Sequence, residues 1–257
     1  MEHKARLRFL GTGSAEGAPV YGCACSVCQR ARFSTVWQRG PCSAHLEVGG
    51  ESILLDAGGA DLKFRFPHGS LSMILLTHFH PDHVQGLFAL RWGVGEKLPV
   101  FAPDDPEGLG DLYKHPGILD FQPLKPWQTL TLDTMLITPV PLVHSKPTLG
   151  YCFEGKEPDG FRLAYLTDTV GLPKETEEFL QHWQPTLMVL DASHPPQAVK
   201  PRNHNDLNLA LAIHQSVAPK KTVLTHIGHQ LDVWLEQQAD SLPDGVAIGR
   251  DGQQYLL

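Results

Sequence analysis

Residues 75–87 read LLTHFHPDHVQGL. An apolar run ends there, and His78, His80, Asp82 and His83 follow within six residues. Imidazoles and a carboxylate crowd this closely when a cation sits among them. His78 and His80 are two apart at a strand end, so their rings can point the same way. Asp82 and His83 lie on the following turn, where Pro81 suits a helix start, and face back toward them. Four ligands in six residues exceed what one metal usually takes from a short segment. Two metals roughly 3.5–4 Å apart would accommodate them.

Such a turn needs partners from distant strands, and the chain offers them. Apolar runs at 5–11, 45–58, 72–78, 98–103, 129–144, 162–168, 186–194 and 221–229 read as strands. Gly49-Gly50 makes a hairpin turn of the second run, and a turn near Asp133 divides the fifth. Several runs end in a ligand type: Asp56, His78, His144, Asp168 and His226. His144, Asp168 and His226 are the expected remaining ligands, with a carboxylate suited to bridge two cations. Helices are expected over 81–92, 173–183 and 205–217. Strands first and strand–helix alternation after, with no long linker, predict one domain over 1–257, an αββα sandwich or another two-sheet α/β arrangement.

Composition bounds the rest. The chain has 257 residues and a net charge of −7 with histidines neutral. An acidic balance without a basic run argues against a nucleic-acid grip. No apolar run approaches the ~20 residues that cross a bilayer, and the N-terminus lacks a signal-peptide core. The expectation is a cytoplasmic protein with no membrane partner. Cys23, Cys25 and Cys28 fall within six residues, in a long connection spanning about 14–42. In a reducing compartment this spacing reads as a zinc site short of one ligand, with His229 the attractive fourth and His3 and His45 as alternatives. Cys42 and Cys152 are isolated and read as structural.

THFHPDH resembles the signature of the metallo-β-lactamase superfamily, which implies a four-layer αββα sandwich. The resemblance places His78, His80 and His144 on a first metal, and Asp82, His83 and His226 on a second. Asp168 bridges them, and Asp56 of LLDAG supports the ligands from behind. The superfamily spans several hydrolytic reactions, so individual residues must decide. PRNHNDLN (201–208) holds His204, which the ligand set does not need. It is free to protonate an alkoxide leaving group, as phosphodiester cleavage requires. Asp206 is a second candidate catalytic residue; the alternative is that His204 or Asp206 caps the following helix. Arg202, Lys146 and Arg91 are candidate contacts for a second phosphate.

The Cys loop together with KHPGILDF, HSKPTLGY, LTDTVGLP, SHPP and LTHIGHQ is similar to the PhnP family, nearly end to end. These are the phosphoribosyl 1,2-cyclic phosphate phosphodiesterases of the carbon–phosphorus lyase pathway of phosphonate catabolism. The resemblance implies hydrolysis of 5-phospho-α-D-ribosyl 1,2-cyclic phosphate to ribose 1,5-bisphosphate, with His204 as general acid. It also implies two catalytic Mn²⁺, a structural Zn²⁺ on Cys23, Cys25, Cys28 and His229, and a homodimer. Residue types alone admit Zn²⁺ or Fe²⁺ in place of manganese. The alternatives are a 2′,3′-cyclic nucleotide phosphodiesterase or a ribonuclease Z-like hydrolase, and, outside enzymes, a metal-binding scaffold.

Overall fold

The computed structural model describes residues 5–157, 160–238 and 242–257. Its strands form two seven-stranded sheets. The first runs in the order Gln254–Leu256, Arg6–Gly11, Ser43–Val48, Glu51–Leu55, Met73–Leu75, Leu98–Pro103, Leu119–Leu124. The second runs Val246–Ile248, Lys221–Thr225, Leu187–Asp191, Arg162–Leu166, Leu149–Gly155, Met135–Pro141, Leu130–Thr131.

Side-chain alternation explains why the sheets face each other. In Arg6–Gly11, Leu7 and Phe9 are buried while Arg6 and Arg8 face water. The inward residues of both sheets, among them Phe9, Leu46, Ile53, Tyr151, Phe153 and Tyr165, make one core between them. A second core lies outside the second sheet under the helices Lys174–Trp183, Leu207–Val217 and His229–Gln237. A third lies outside the first sheet under the short helices Leu62–Arg65, Pro81–Val84 and Leu87–Leu90. The layers are therefore α, β, β and α, as the sequence predicts. Leu187–Asp191 is buried along its whole length, which is why it reads as a continuous apolar run rather than an alternating one.

The parallel strands set the site. Glu51–Leu55 pairs parallel with Met73–Leu75, and Arg162–Leu166 parallel with Leu187–Asp191, itself parallel with Lys221–Thr225. The carboxyl ends of parallel strands are where such sheets collect ligands. Backbone bonds tie the two sheets together there: Leu149 N–H donates to Thr77 O at 2.9 Å, and Ile227 N–H to Thr12 O at 2.8 Å.

Some expected elements differ. The helix expected over 81–92 is two short turns, Pro81–Val84 and Leu87–Leu90. Gly86 lies between them, and a Cβ there would come 2.3 Å from Gly59 O. Close packing on the LLDAGG turn thus fixes the break. Four strands, Leu119–Leu124, Leu149–Gly155, Val246–Ile248 and Gln254–Leu256, carry no strand signal noted from sequence. The segment between Gly11 and Ser43 contains a helix, Ser26–Phe33, capped by Cys25, whose sulfur accepts from Cys28 N–H.

Candidate metal centre and its cleft

Seven predicted ligands converge. His78 Nε2 lies 2.8 Å from His80 Nδ1, and His144 Nε2 lies 3.0 Å from the same atom. Asp168 Oδ1 is 3.7 Å from His78 Nε2 and 3.8 Å from His144 Nε2. These four residues could share one cation; Asp82, His83 and His226 form an adjoining group, and Asp168, His204 and His226 lie close enough together to form a third. Asp168 reaches this second group too: Oδ2 is 3.3 Å from His83 Nε2 and Oδ1 is 3.4 Å from His226 Nε2. Its carboxylate thus reaches both groups.

The far nitrogens decide which lone pairs face inward. His83 Nδ1 donates to Asp56 Oδ2 at 2.9 Å, while Asp56 also accepts from Thr77 N–H and Oγ1. His144 Nδ1 donates to Asn203 O at 2.9 Å. His226 Nδ1 lies 2.9 Å from Ser193 Oγ, and His78 Nδ1 lies 3.0 Å from Thr77 Oγ1. Each arrangement leaves the other nitrogen for the centre. His83 Nε2 and His226 Nε2 are buried with no hydrogen-bond partner. Orphaned buried nitrogens are costly unless something accepts their lone pairs, so the donor set fits two cations. Asp56 thus acts on His83, as the resemblance implies.

The backbone is bent to deliver these side chains. Asp56, Asp168 and His226 have φ of 56°, 62° and 55°. Each follows the end of a parallel strand. The left-handed region costs a non-glycine residue on the order of 1–3 kcal/mol, a cost that surrounding packing must cover and that concentrates at functional sites. Gly58 lets the LLDAGG turn approach: a Cβ there would meet Asp82 O at 1.8 Å.

His204 sits beside the cluster. Its ring stacks on His226 with centroids 4.6 Å apart and 11° between planes. Nδ1 lies 2.8 Å from Asp191 Oδ2, so Nε2 is left for the cleft. Asp191 is wholly buried, accepts from Thr169 N–H, and meets Ser193 Oγ at 3.1 Å. Sequence reasoning overlooked Asp191, although it ends an apolar strand run as the predicted ligands do.

Other candidates are placed elsewhere. Asp206 is a helix cap: Oδ1 accepts from Leu209 N–H and Oδ2 from Gln197 N–H, both at 2.9 Å. Backbone amides occupy both of its oxygens, which corrects its catalytic assignment. Lys146 turns to Asp105 at 3.5 Å, and Arg91 to Asp111 at 2.6 Å. Arg202 is exposed and does not line the cleft. Among the described residues no lysine or arginine lines it.

The cleft over the cluster has a volume of about 480 Å³. His80, Asp82, Asp168 and His226 belong to its metal side, and Ser14, Glu16 and Gln230 also line it. His229, which also lines the cleft, belongs to the cysteine cluster. Cys23 and Cys25 Sγ lie 3.4 and 3.6 Å from His229 Nε2, and Cys28 Sγ lies 4.0 Å from it. These separations suit donors around one tetrahedral ion. His229 opens a helix whose first amide donates to Glu16 Oε1 at 2.7 Å. His45 is not a partner of the thiols: its Nε2 lies 2.8 Å from Ser52 Oγ. His3 lies outside the described residues. Cys42 and Cys152 are buried, and burial pushes the Cys42 thiol up to about 11.

Electrostatics of the metal-free protein follow from crowding. Burial pushes His78, His80 and His144 below the usual imidazole value. Burial opposes charge on His83 too, but Asp168 and Asp56 hold it well above. Burial opposes charge on His204, and Asp191 overrides it, pushing it up to about 9. Burial would raise Asp168, but the imidazoles of His226 and His83 hold it well below the carboxylate range. At the cysteine cluster, hydrogen bonding from the Cys25 amide draws Cys23 down to about 7.

Known proteins match this architecture. The model of the beta-lactamase superfamily domain matches residues 52–227. An octanoyltransferase of Porphyromonas gingivalis is 25% identical, the alignment covering 98% of this chain and 51% of that protein. A ribonuclease Z of Methanopyrus kandleri is 24% identical, covering 60% of this chain and 52% of that protein. The chain thus spans about half the length of the curated relatives it matches. The crystal structure of a new diphosphatase from the PhnP family superposes with a TM-score of 0.82 at 25% identity, covering 99% of this chain and 97% of that one. Zn(2+)-bound PqqB from Methylobacterium extorquens superposes with a TM-score of 0.78 at 19% identity, covering 98% and 100%, a likeness of fold alone.

Proposed function

From the premise that this chain belongs to the beta-lactamase superfamily of hydrolases, we propose that it is a two-metal phosphodiesterase acting on a small cyclic phosphodiester. The substrate this reading favours is 5-phospho-α-D-ribosyl 1,2-cyclic phosphate, opened to ribose 1,5-bisphosphate. The observation that carries it is His204, whose Nδ1 is held by the buried Asp191 carboxylate at 2.8 Å beside the seven converging ligands.

His78, His80 and His144 would hold one cation, and Asp82, His83 and His226 the other, with Asp168 between. Two such ions would supply hydroxide near neutral pH and offset charge on phosphate oxygens. The chain does the rest. Thr77, Asn203, Asp56 and Ser193 fix the imidazole orientations. His204 Nε2 faces the cleft and gives its proton to the departing sugar oxygen. Asp191 holds the ring in the tautomer and pose that this transfer needs and stabilises its charged form. We take manganese as the catalytic metal, zinc as the ion of the cysteine cluster, and a homodimer as the working assembly.

The cleft supports a small substrate over RNA or a nucleotide. The chain is acidic overall, and among the described residues no aromatic side chain of the Phe, Tyr or Trp type lines the cleft to stack a base. Phosphorus NMR of the cyclic sugar phosphate with manganese-loaded protein tests the proposal. Loss of the cyclic signal with growth of one new monoester signal, beside that of the 5-phosphate already present, is expected. An unchanged spectrum in protein carrying both metals would overturn the substrate assignment.

A further inference from the structure

We infer that Ser14, Glu16, His194 and Gln230 form a leaving-group subsite that recognises the free hydroxyl of the sugar. This rests on the phosphodiesterase reading and names the part of the substrate that reading leaves open.

All four residues line the same cleft as His204 and the metal ligands. His194 stands beside His204, with ring centroids 6.3 Å apart and 72° between planes. Its backbone is fixed: N–H donates to Asn205 O at 3.2 Å, and its carbonyl accepts from Leu207 N–H at 2.9 Å. Its half-buried ring has no hydrogen-bond partner among the described residues. Burial and the neighbouring His204 both keep it neutral, so it offers one donor and one acceptor. The proton from His204 goes to the leaving oxygen, so the sugar bearing that oxygen lies where His194 reaches.

Three more groups bring matching chemistry. Glu16 uses Oε1 on the His229 amide and keeps Oε2 as an acceptor. Ser14 Oγ is buried and has no partner, while its backbone is held by Ile227 O at 3.1 Å. An unpaired buried hydroxyl is costly unless a ligand completes it. Gln230 adds an amide with two donors and an acceptor. A neutral imidazole, a hydroxyl, an amide and a carboxylate together suit a free sugar hydroxyl, which is both donor and acceptor.

The test compares two substrates on metal-loaded protein: the cyclic sugar phosphate, and bis(p-nitrophenyl) phosphate, which has no hydroxyls. Variants are Glu16→Gln, which keeps an acceptor for the His229 amide, and His194→Ala, with metal content measured in each. The expected result is a loss of about tenfold in selectivity for the sugar substrate over the aryl diester, carried by KM rather than kcat. Equal losses on both substrates, or none, would overturn the subsite. If wild-type protein cleaves the aryl diester but not the sugar phosphate, the subsite fails and the phosphodiesterase reading stands. If it cleaves neither, both fail.

Discussion

Asp191 Oδ2 lies 2.8 Å from His204 Nδ1, and the same carboxylate meets Ser193 Oγ, which in turn meets His226 Nδ1. One buried carboxylate therefore touches the proposed acid and, through one hydroxyl, a ligand of the metal cluster. The acid and the cluster cannot be reoriented independently.

The first prediction follows from that linkage. His204→Ala should lower kcat about 10²- to 10⁴-fold on an alkyl diester and much less on bis(p-nitrophenyl) phosphate, because p-nitrophenolate departs without a proton. Asp191→Asn should give a smaller loss of the same kind, about 10- to 100-fold. Equal losses on both leaving groups would remove the acid role. Metal content by mass spectrometry keeps the comparison fair.

Asp56 makes no contact in the cleft, yet it holds His83 through Nδ1 and takes two more hydrogen bonds from Thr77. Asp56→Ala should weaken metal affinity about 10- to 100-fold and so lower activity at limiting metal, with recovery at excess metal. Asp168→Ala should not recover, since it removes a carboxylate within reach of both donor groups. Titration of activity against added manganese separates the two variants.

A pH signature is expected once the metals are stripped. Burial keeps His78, His80 and His144 below their unfolded value, so as pH falls under about 6.5 the unfolded chain takes protons that the folded one refuses, and stability drops. His83 and His204 are shifted the other way by carboxylates. Their contribution is full below about 6.5 and is lost as pH rises through the folded value, about 9 for His204. The melting temperature of chelated protein should peak near neutrality and fall on both sides. Reloaded protein should show a flatter profile across neutrality, because bound imidazoles no longer titrate there. A chelated protein with no such maximum would contradict the packing of these rings.

How much of this was legible in the sequence depends on how local each feature is. HxHxDH is local, and its four side chains converge as expected. His144, Asp168 and His226 were legible because each closes an apolar strand run. Asp191 closes one too, but it acts on an imidazole thirteen residues away, a pairing no spacing rule reveals. Asp206 misled because an acidic residue before a helix looks the same whether it serves a substrate or two backbone amides. Lys146 and Arg91 failed as phosphate contacts for a different reason. Long cationic side chains go to the nearest carboxylate, and Asp105 and Asp111 become neighbours only through the fold. Leu119–Leu124 was missed because it is an edge strand with Asp120, Gln122 and a proline, so its burial pattern does not alternate cleanly.

The cysteine cluster yields the last prediction. Cys23, Cys25 and Cys28 tie the 14–42 segment to His229, whose amide holds Glu16 against the cleft. Arg39, from the same segment, is buried against Asp232 on the helix that His229 opens. The segment's far end is therefore anchored independently of any ion at the cysteine cluster, and removing an ion from it should loosen the cleft wall rather than unfold the chain. Cys25→Ser should remove one zinc per chain, lower the melting temperature by a few degrees, and raise KM for the sugar substrate more than it lowers kcat. His226 and the catalytic metals should be retained, because Ile227 stays bonded to Thr12 on one side and Ser14 on the other. If the variant instead lost its catalytic metals along with the zinc, the two centres would be a single unit, and the cysteine cluster would be supporting the chemistry rather than shaping the cleft.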